Sequence, residues 1–334
     1  MQLKKITSIL LAGAMALSMA ACTSSAAPAK EASSAASDMS AEPSAGASMT
    51  AVDAEMAVDG AIGLSLSTLN NPFFVTLSEG AEEAAKELGL NLITVDAGDD
   101  AAKQASDIED LISKNISVLI VNPVDSDAVA TVVQEAIDKG IKVISVDRSV
   151  NGAEVDCAIA SDNVAGAKLA AEYLVEKAGE GAKTVELEGV PGASATIDRG
   201  EGFHGIADKK LDVLASQTAN FNRSEGMTVM ENMLQSHPDI QAVFCHNDEM
   251  ALGAIEALGD KSGIIIAAFD ATDDGVQAVK DGKLAATVAQ DPALMGKTAV
   301  ENASKLIKGE SIEAVIPVEV KLVTADNVDE YIKK

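Results

Sequence analysis

The sequence predicts an α/β protein built as two doubly wound parallel-sheet lobes. Three observations carry that expectation. From residue 61 onward, short apolar runs alternate with longer segments of helical period. Eleven such runs are too many for one compact open sheet of ordinary size. The length of 334 residues fits two domains at roughly 150 residues each.

The runs are Ala61–Ser67, Asn91–Ala97, Val118–Asn122, Lys142–Asp147, Cys157–Ser161, Lys183–Glu188, Asp212–Gln217, Ala242–Cys245, Ile264–Phe269, Leu284–Ala289 and Val318–Val323. Between most of them lie segments such as Val75–Leu88 and Ala167–Lys177, rich in Ala, Glu, Leu and Lys with apolar spacing of three and four. Strand, helix, strand at this spacing implies parallel strands joined by right-handed crossovers. The rhythm breaks at Asp147–Cys157, where two runs have no helix between them. That is the pattern expected where the chain passes from one lobe to the other.

The first 22 residues read as a targeting segment rather than fold. Lys4 and Lys5 precede Ile6–Ala21, an apolar run of 16 residues, short of the ~20 that span a bilayer and of the form of a secretory signal. It ends in Met19-Ala20-Ala21-Cys22, which resembles a bacterial lipobox with Met where Leu is commoner. The resemblance implies cleavage before Cys22 and a diacylglycerol on its thiol; an ordinary signal peptide with an incidental cysteine is the alternative. Residues 23–60 contain no Leu, Ile, Phe or Tyr. They bury too little apolar surface to offset ordering entropy and read as a disordered tether spanning on the order of 35 Å. The expectation is an exported protein, lipid-anchored on the outer face of the cell membrane or periplasmic.

The formal net charge of −27 argues against nucleic acid or an anionic membrane as a partner, because both reward Lys and Arg. Membrane contact is expected only through the lipid anchor. Cys157 and Cys245 each sit in a strand-like run. Export permits a disulfide between them, while a small buried hydrophobe is the favoured role.

In open α/β sheets, ligands bind beyond the carboxyl ends of the strands. There the chain places Asn71-Pro72-Phe73-Phe74, Asn122-Pro123, Asp147-Arg148, Phe221, Asn247-Asp248, Phe269-Asp270 and Gln290. Four of only six phenylalanines lie at these ends. Flat aromatic faces pack on the C–H faces of a sugar ring, and carboxylates, amides and guanidinium groups bond hydroxyls that donate and accept at once. Singly, each residue has a plainer role: Asn before Pro in a turn, Asp248 or Asp270 capping a helix, Phe closing a core. The joint pattern is what points to a small polar ligand, and to a sugar.

The stretches Ser67–Phe74, Asn122-Pro123 with Asp125–Ala128, Ile159–Asn163, Arg199–Phe203 and Asn247–Ala254 together resemble the sugar-binding members of the type I periplasmic binding protein family, the solute-binding components of bacterial ABC transporters. The resemblance covers about Ala61 to Val323. It implies two Rossmann-like lobes joined by a three-segment hinge, residues 61–161 plus 291–319 and residues 162–290 plus 320–334. It further implies a ring sandwiched by Phe73, Phe74, Phe221 and Phe269, with hydroxyls held by Asn71, Asn122, Asp147, Arg148, Arg199, Asn247, Asp270 and Gln290. Arg199 comes from the resemblance alone; its plainer role is a surface helix arginine. Each position carries the residue type expected for D-ribose, delivered by a monomeric binding protein to a permease with a cytoplasmic ATPase. Another pentose or hexose, a furanosyl signal molecule, or presentation to a chemoreceptor or histidine kinase are the alternatives.

No catalysis, cofactor or metal is expected. Gly200-x-Gly202-x-x-Gly205 would suit a NAD-dependent enzyme only after a strand, and here it follows residues that read as helix already begun. Gly296-Lys297-Thr298 lacks a phosphate loop's first glycine, Asp291 standing there. His204, His237 and His246 show no metal-ligand spacing. Sugar-responsive repressors share a two-lobed core but begin with a basic helix-turn-helix, whereas this chain begins with a signal.

Overall fold

The computed structural model describes residues 60–259, 261 and 263–332. The targeting segment, Cys22 and the tether before Gly60 lie outside the described residues. Strand and helix alternate as β1 (Ile62–Leu66), α1 (Pro72–Leu88), β2 (Leu92–Asp96), α2 (Ala101–Ser113), β3 (Val118–Val121), α3 (Ala130–Asp138), β4 (Lys142–Val146) and β5 (Cys157–Ser161). The chain continues as α4 (Asn163–Ala178), β6 (Lys183–Glu188), α5 (Ser194–Lys210), β7 (Asp212–Thr218), α6 (Arg223–Ser236) and β8 (Ala242–Cys245). It ends with α7 (Asp248–Leu258), β9 (Ile265–Asp270), α8 (Asp273–Lys280), β10 (Ala286–Ala289), α9 (Pro292–Ile307), β11 (Val315–Val318) and β12 (Lys321–Thr324).

These strands form two six-stranded sheets, ordered β11-β5-β4-β3-β1-β2 and β12-β10-β9-β8-β6-β7. Every pairing is parallel except β10 with β12. Fully buried strands such as β3 and β8 are continuous apolar runs because helices cover both sheet faces.

Two sequence expectations are corrected. The break at Asp147–Cys157 is not a passage between lobes: β4 and β5 pair in parallel within one sheet, and the chain leaves that sheet only after Ser161. The run Val318–Val323 is not one strand. Val315–Val318 closes the first sheet beside β5, and Lys321–Thr324 closes the second beside β10. An apolar run does not record which sheet its residues join, and Val318 and Val323 are buried in different cores. Cys157 and Cys245 are free and buried, one in each lobe's strands, so no disulfide joins them.

The helix starts explain the strand-end residues. Asn71 caps α1 through its side chain and Pro72 takes the first helical position, where a missing N–H costs nothing. Asn247 caps α7 and Asp291 caps α9 in the same way. Each lobe's helices therefore begin at the carboxyl edge of its sheet, and the two edges face each other across a cleft.

Helices α1 and α9 meet backbone to backbone. A Cβ on Gly296 would lie 2.0 Å from the Leu77 carbonyl oxygen, and one on Gly80 would lie 2.3 Å from that of Ala293. Replacing Gly296 with Ala should destabilise the first lobe by about 1–3 kcal/mol, the usual cost of overpacking. Urea unfolding of G296A measures it, and an unchanged midpoint would show that the two helices can separate freely.

Candidate functional site

Between the lobes is a small, tightly closed cavity. It is lined by Asn71, Phe73, Phe74, Asp147 and Arg148 from the first lobe and by Ala195, Arg199, Phe221, Asn247, Asp270 and Gln290 from the second or its border. Ten of the twelve residues expected from sequence thus converge on one cavity. Asn122 and Phe269 do not line it. They stand directly behind it.

Two buried ion pairs dominate. Arg148 Nε lies 3.7 Å from Asp147 Oδ2, and Arg199 Nη1 lies 3.5 Å from Asp270 Oδ1. All four side chains are buried, yet both separations exceed a charge-assisted hydrogen bond. The pairs neutralise one another without consuming all their donors and acceptors. Arg148 Nε and Gln290 Oε1 have no hydrogen-bond partner among the described residues. Burial raises the pKa of Asp147 against the pull of Arg148 and Arg199, and raises that of Asp270 well above the usual range against Arg199. Burial likewise lowers both arginines, which their aspartates oppose.

The rest of the shell fixes these groups. Asn122 Nδ2 donates to Asp147 Oδ2 at 3.1 Å, while its Oδ1 accepts from Ser67 Oγ at 2.7 Å. Arg148 Nη1 donates to the Pro123 carbonyl at 2.8 Å, and its guanidinium lies between the rings of Phe74 and Phe221, 5.1 and 5.4 Å from their centroids. Arg199 donates from Nε to Asn163 Oδ1 at 2.9 Å and from Nη1 to the His246 carbonyl at 2.5 Å. Phe269 lies under Arg199, its centroid 3.9 Å from the guanidinium carbon, a cation–π contact. Gln290 Nε2 donates to Asp270 Oδ1 at 2.8 Å.

The plainer roles divide. Asn71 and Asn247 cap helices with Oδ1 and also line the cavity. Asp248 caps no helix of its own: it accepts from the Thr272 amide, Thr272 Oγ1 and Thr287 Oγ1, and burial raises its pKa to about 7. Thr272, not Asp270, caps α8. Arg199 is no surface residue but 3% exposed, and Gly200 to Gly205 lie inside α5. Asp147, Asn220, Phe221, Asp270 and Ala271 all have positive φ, and for Phe221 this is strain of the kind that collects at binding sites.

The lobes also touch beyond the cavity. Ser126 donates its amide to the Gly192 carbonyl at 2.9 Å, its Oγ accepts from the Ser194 amide at 3.1 Å, and Ser194 Oγ accepts from the Ser149 amide at 2.9 Å. The cleft is closed. Ser194 and Ala195 carried no signal in the sequence, being a small-residue helix start. Asn163 carries one, since it follows the end of β5.

A family profile described as "Periplasmic binding protein domain" matches residues 62–311. The ribose import binding protein RbsB of Bacillus subtilis is 52% identical over 264 residues, covering 79% of this chain and 87% of that one. Its Escherichia coli counterpart is 50% identical over 275 residues, 81% and 93% of the respective chains. Among solved structures, the Caulobacter myo-inositol binding protein bound to myo-inositol superposes with a TM-score of 0.77 at 32% identity, covering 80% and 94%.

Removing the Asn122 amide would leave the Asp147 carboxylate without its neutral donor. Asn122→Ala should therefore cost about 1–3 kcal/mol of stability without any ligand, read by urea unfolding; no loss would mean that Arg148 alone suffices to hold the aspartate.

Proposed function

The chain belongs to the periplasmic binding protein family, and from that premise we propose that it captures D-ribose between its lobes and delivers it to an ABC permease. The observation that carries the reading is the pair of incompletely satisfied arginine–aspartate couples facing one small cavity. Vicinal hydroxyls donate to the carboxylates and accept from the guanidinium groups at once. Phe73, Phe74 and Phe221 supply flat apolar faces for the ring, and Asn71, Asn247 and Gln290 the remaining polar contacts. Asn122 and Phe269 act from behind, holding Asp147 and Arg199. An analogue lacking a hydroxyl would leave a buried charged group unpaired, which costs far more than a lost methylene contact.

In this reading the lobes comprise residues 61–161 with 291–319 and 162–290 with 320–334. Ligand selects the closed form by bridging the two aspartate–arginine couples, and the permease reads that form. Binding is the whole task, with no bond made or broken. Export and a lipid anchor at Cys22 belong to the proposal. They rest on the basic start, the apolar run and the resemblance of residues 19–22 to a lipobox.

Calorimetric titration with ribose, allose, xylose, arabinose and galactose tests the ligand. Tight binding of ribose alone is expected, and binding of none of these aldoses would overturn the reading.

Closure itself is open to test at Gly192. A Cβ there would lie 2.0 Å from Asp125 Oδ2, a carboxylate whose Oδ1 is already fixed by the amides of Asp127 and Ala128. Gly192→Val should hold the lobes apart, weakening sugar binding at least tenfold, about 1.4 kcal/mol, with little change in unfolding midpoint. Unaltered affinity would show that the contact is incidental to closure.

A further inference from the structure

Beneath the cavity floor of the second lobe runs a line of ionisable side chains with no part in contacting a sugar. Glu186 on β6 is fully buried. Its Oε1 meets His246 Nε2 at 2.9 Å, and its Oε2 meets His204 Nε2 at 2.9 Å and accepts from Ser216 Oγ at 2.6 Å. The other nitrogen of His204, Nδ1, faces Asp208 Oδ1 at 2.8 Å. Asp208 is exposed and His204 partly so. At the inner end, the His246 carbonyl accepts the 2.5 Å hydrogen bond from Arg199. The line thus reaches from solvent to a cavity arginine.

Proton counting fixes the states. Both nitrogens of His204 face carboxylate oxygens, and only the imidazolium donates from both. Burial alone would lower its pKa, but the hydrogen bond to Asp208 and the charge of Glu186 outweigh it and raise the value. Glu186, satisfied by three donors, is held below the usual carboxylate range despite its burial. Burial keeps His246 neutral, so its one N–H sits on Nε2 toward Glu186, and its Nδ1 has no hydrogen-bond partner among the described residues.

We propose that Glu186 and His246 are positioning residues for Arg199, and that the proton on His204 governs how firmly they hold it, so that sugar affinity depends on external pH. The proposal rests on the reading of Arg199 as a sugar contact. With His204 charged, the buried Glu186 anion has a cation beside it and grips the His246 ring, which directs the His246 carbonyl at Arg199. When His204 loses its proton, it keeps one N–H for two carboxylates. Glu186 becomes a buried charge without a compensating cation, a costly state, and the grip loosens. The other charged groups facing the line are Arg199 and Glu188, which act on His246, and Lys168 of α4, whose stem lies beside Gly205.

The sign follows. A histidine whose pKa is raised in the fold stabilises it fully below the ordinary histidine range, and that stabilisation is lost as pH rises through the raised value. Ribose titrations of the intact chain from about pH 6 to about pH 9 should show the dissociation constant rising roughly fivefold, the low end of ordinary coupling between sites. In His204→Gln this step should vanish and affinity stay at the weaker level. In Asp208→Asn, a change at an exposed position, the step should move to lower pH with the acidic plateau unchanged. Subtracting the His204→Gln profile removes titration of Asp147, Asp248 and Asp270. A flat wild-type profile, or the same step in His204→Gln, overturns the proposal.

Proton NMR of the three histidines supplies a readout independent of ribose. The His246 ring resonance should follow the His204 titration, and Glu186→Gln should uncouple them; a His246 signal blind to that titration overturns the coupling. Loss of ribose binding at every pH would overturn the sugar reading instead, and the NMR arm would still decide the relay.

Discussion

The structure depends on two arginine–aspartate couples buried between lobes and left incomplete. At 3.7 and 3.5 Å each couple is close enough to offset its own desolvation in part, and too far apart to exhaust its hydrogen-bonding capacity. A buried charge in that condition needs a further partner. Every neighbouring feature serves to keep the condition in place: Asn122 and Ser67 behind Asp147, Pro123 and two phenylalanine rings around Arg148, Asn163, His246 and Phe269 around Arg199, Gln290 beside Asp270.

The fold supplies this arrangement because parallel sheets put all their helix starts on one edge. Two such edges facing one another give a cavity whose walls are caps and strand ends, where side chains are polar for local reasons already. Asn71 and Asn247 show the economy of it, with one oxygen ending a helix while the residue lines the cavity. The same edge concentrates positive φ at Asp147, Phe221 and Asp270, since a chain turning sharply from strand to loop must hold side chains inward.

Most of this was legible in the sequence, and the failures are instructive. Strands and helices follow from hydrophobic period, and the cavity residues from the rule that ligands meet strand ends. What period cannot convey is sheet membership. The run Val318–Val323 looks continuous because both halves are apolar, yet it joins two sheets in turn. The helix-free stretch before Cys157 looked like a passage between lobes and is a crossover within one sheet. Arg199 lies mid-helix, where sequence offers no reason to bury an arginine. Asn122 and Phe269 follow strands as the cavity-lining residues do, and position after a strand does not say whether a side chain lines the cavity or stands behind it.

Magnitudes decide what closes the cleft. The direct contacts between lobes at Ser126, Ser149, Gly192 and Ser194 are a few neutral hydrogen bonds, each worth about 1 kcal/mol net. Against them stands the burial of two guanidinium and two carboxylate groups, at an effective cost of several kcal/mol per ion that only well-made partners repay. The couples as they stand are not well made. Without a ligand the balance therefore favours an open cleft, in which water completes the four groups. A polyhydroxylated ring that bridges both couples reverses the balance by supplying the missing partners on both lobes together. Affinity and closure are then one quantity, and residues that only hold an arginine in place, as Glu186 and His246 hold Arg199, act on both.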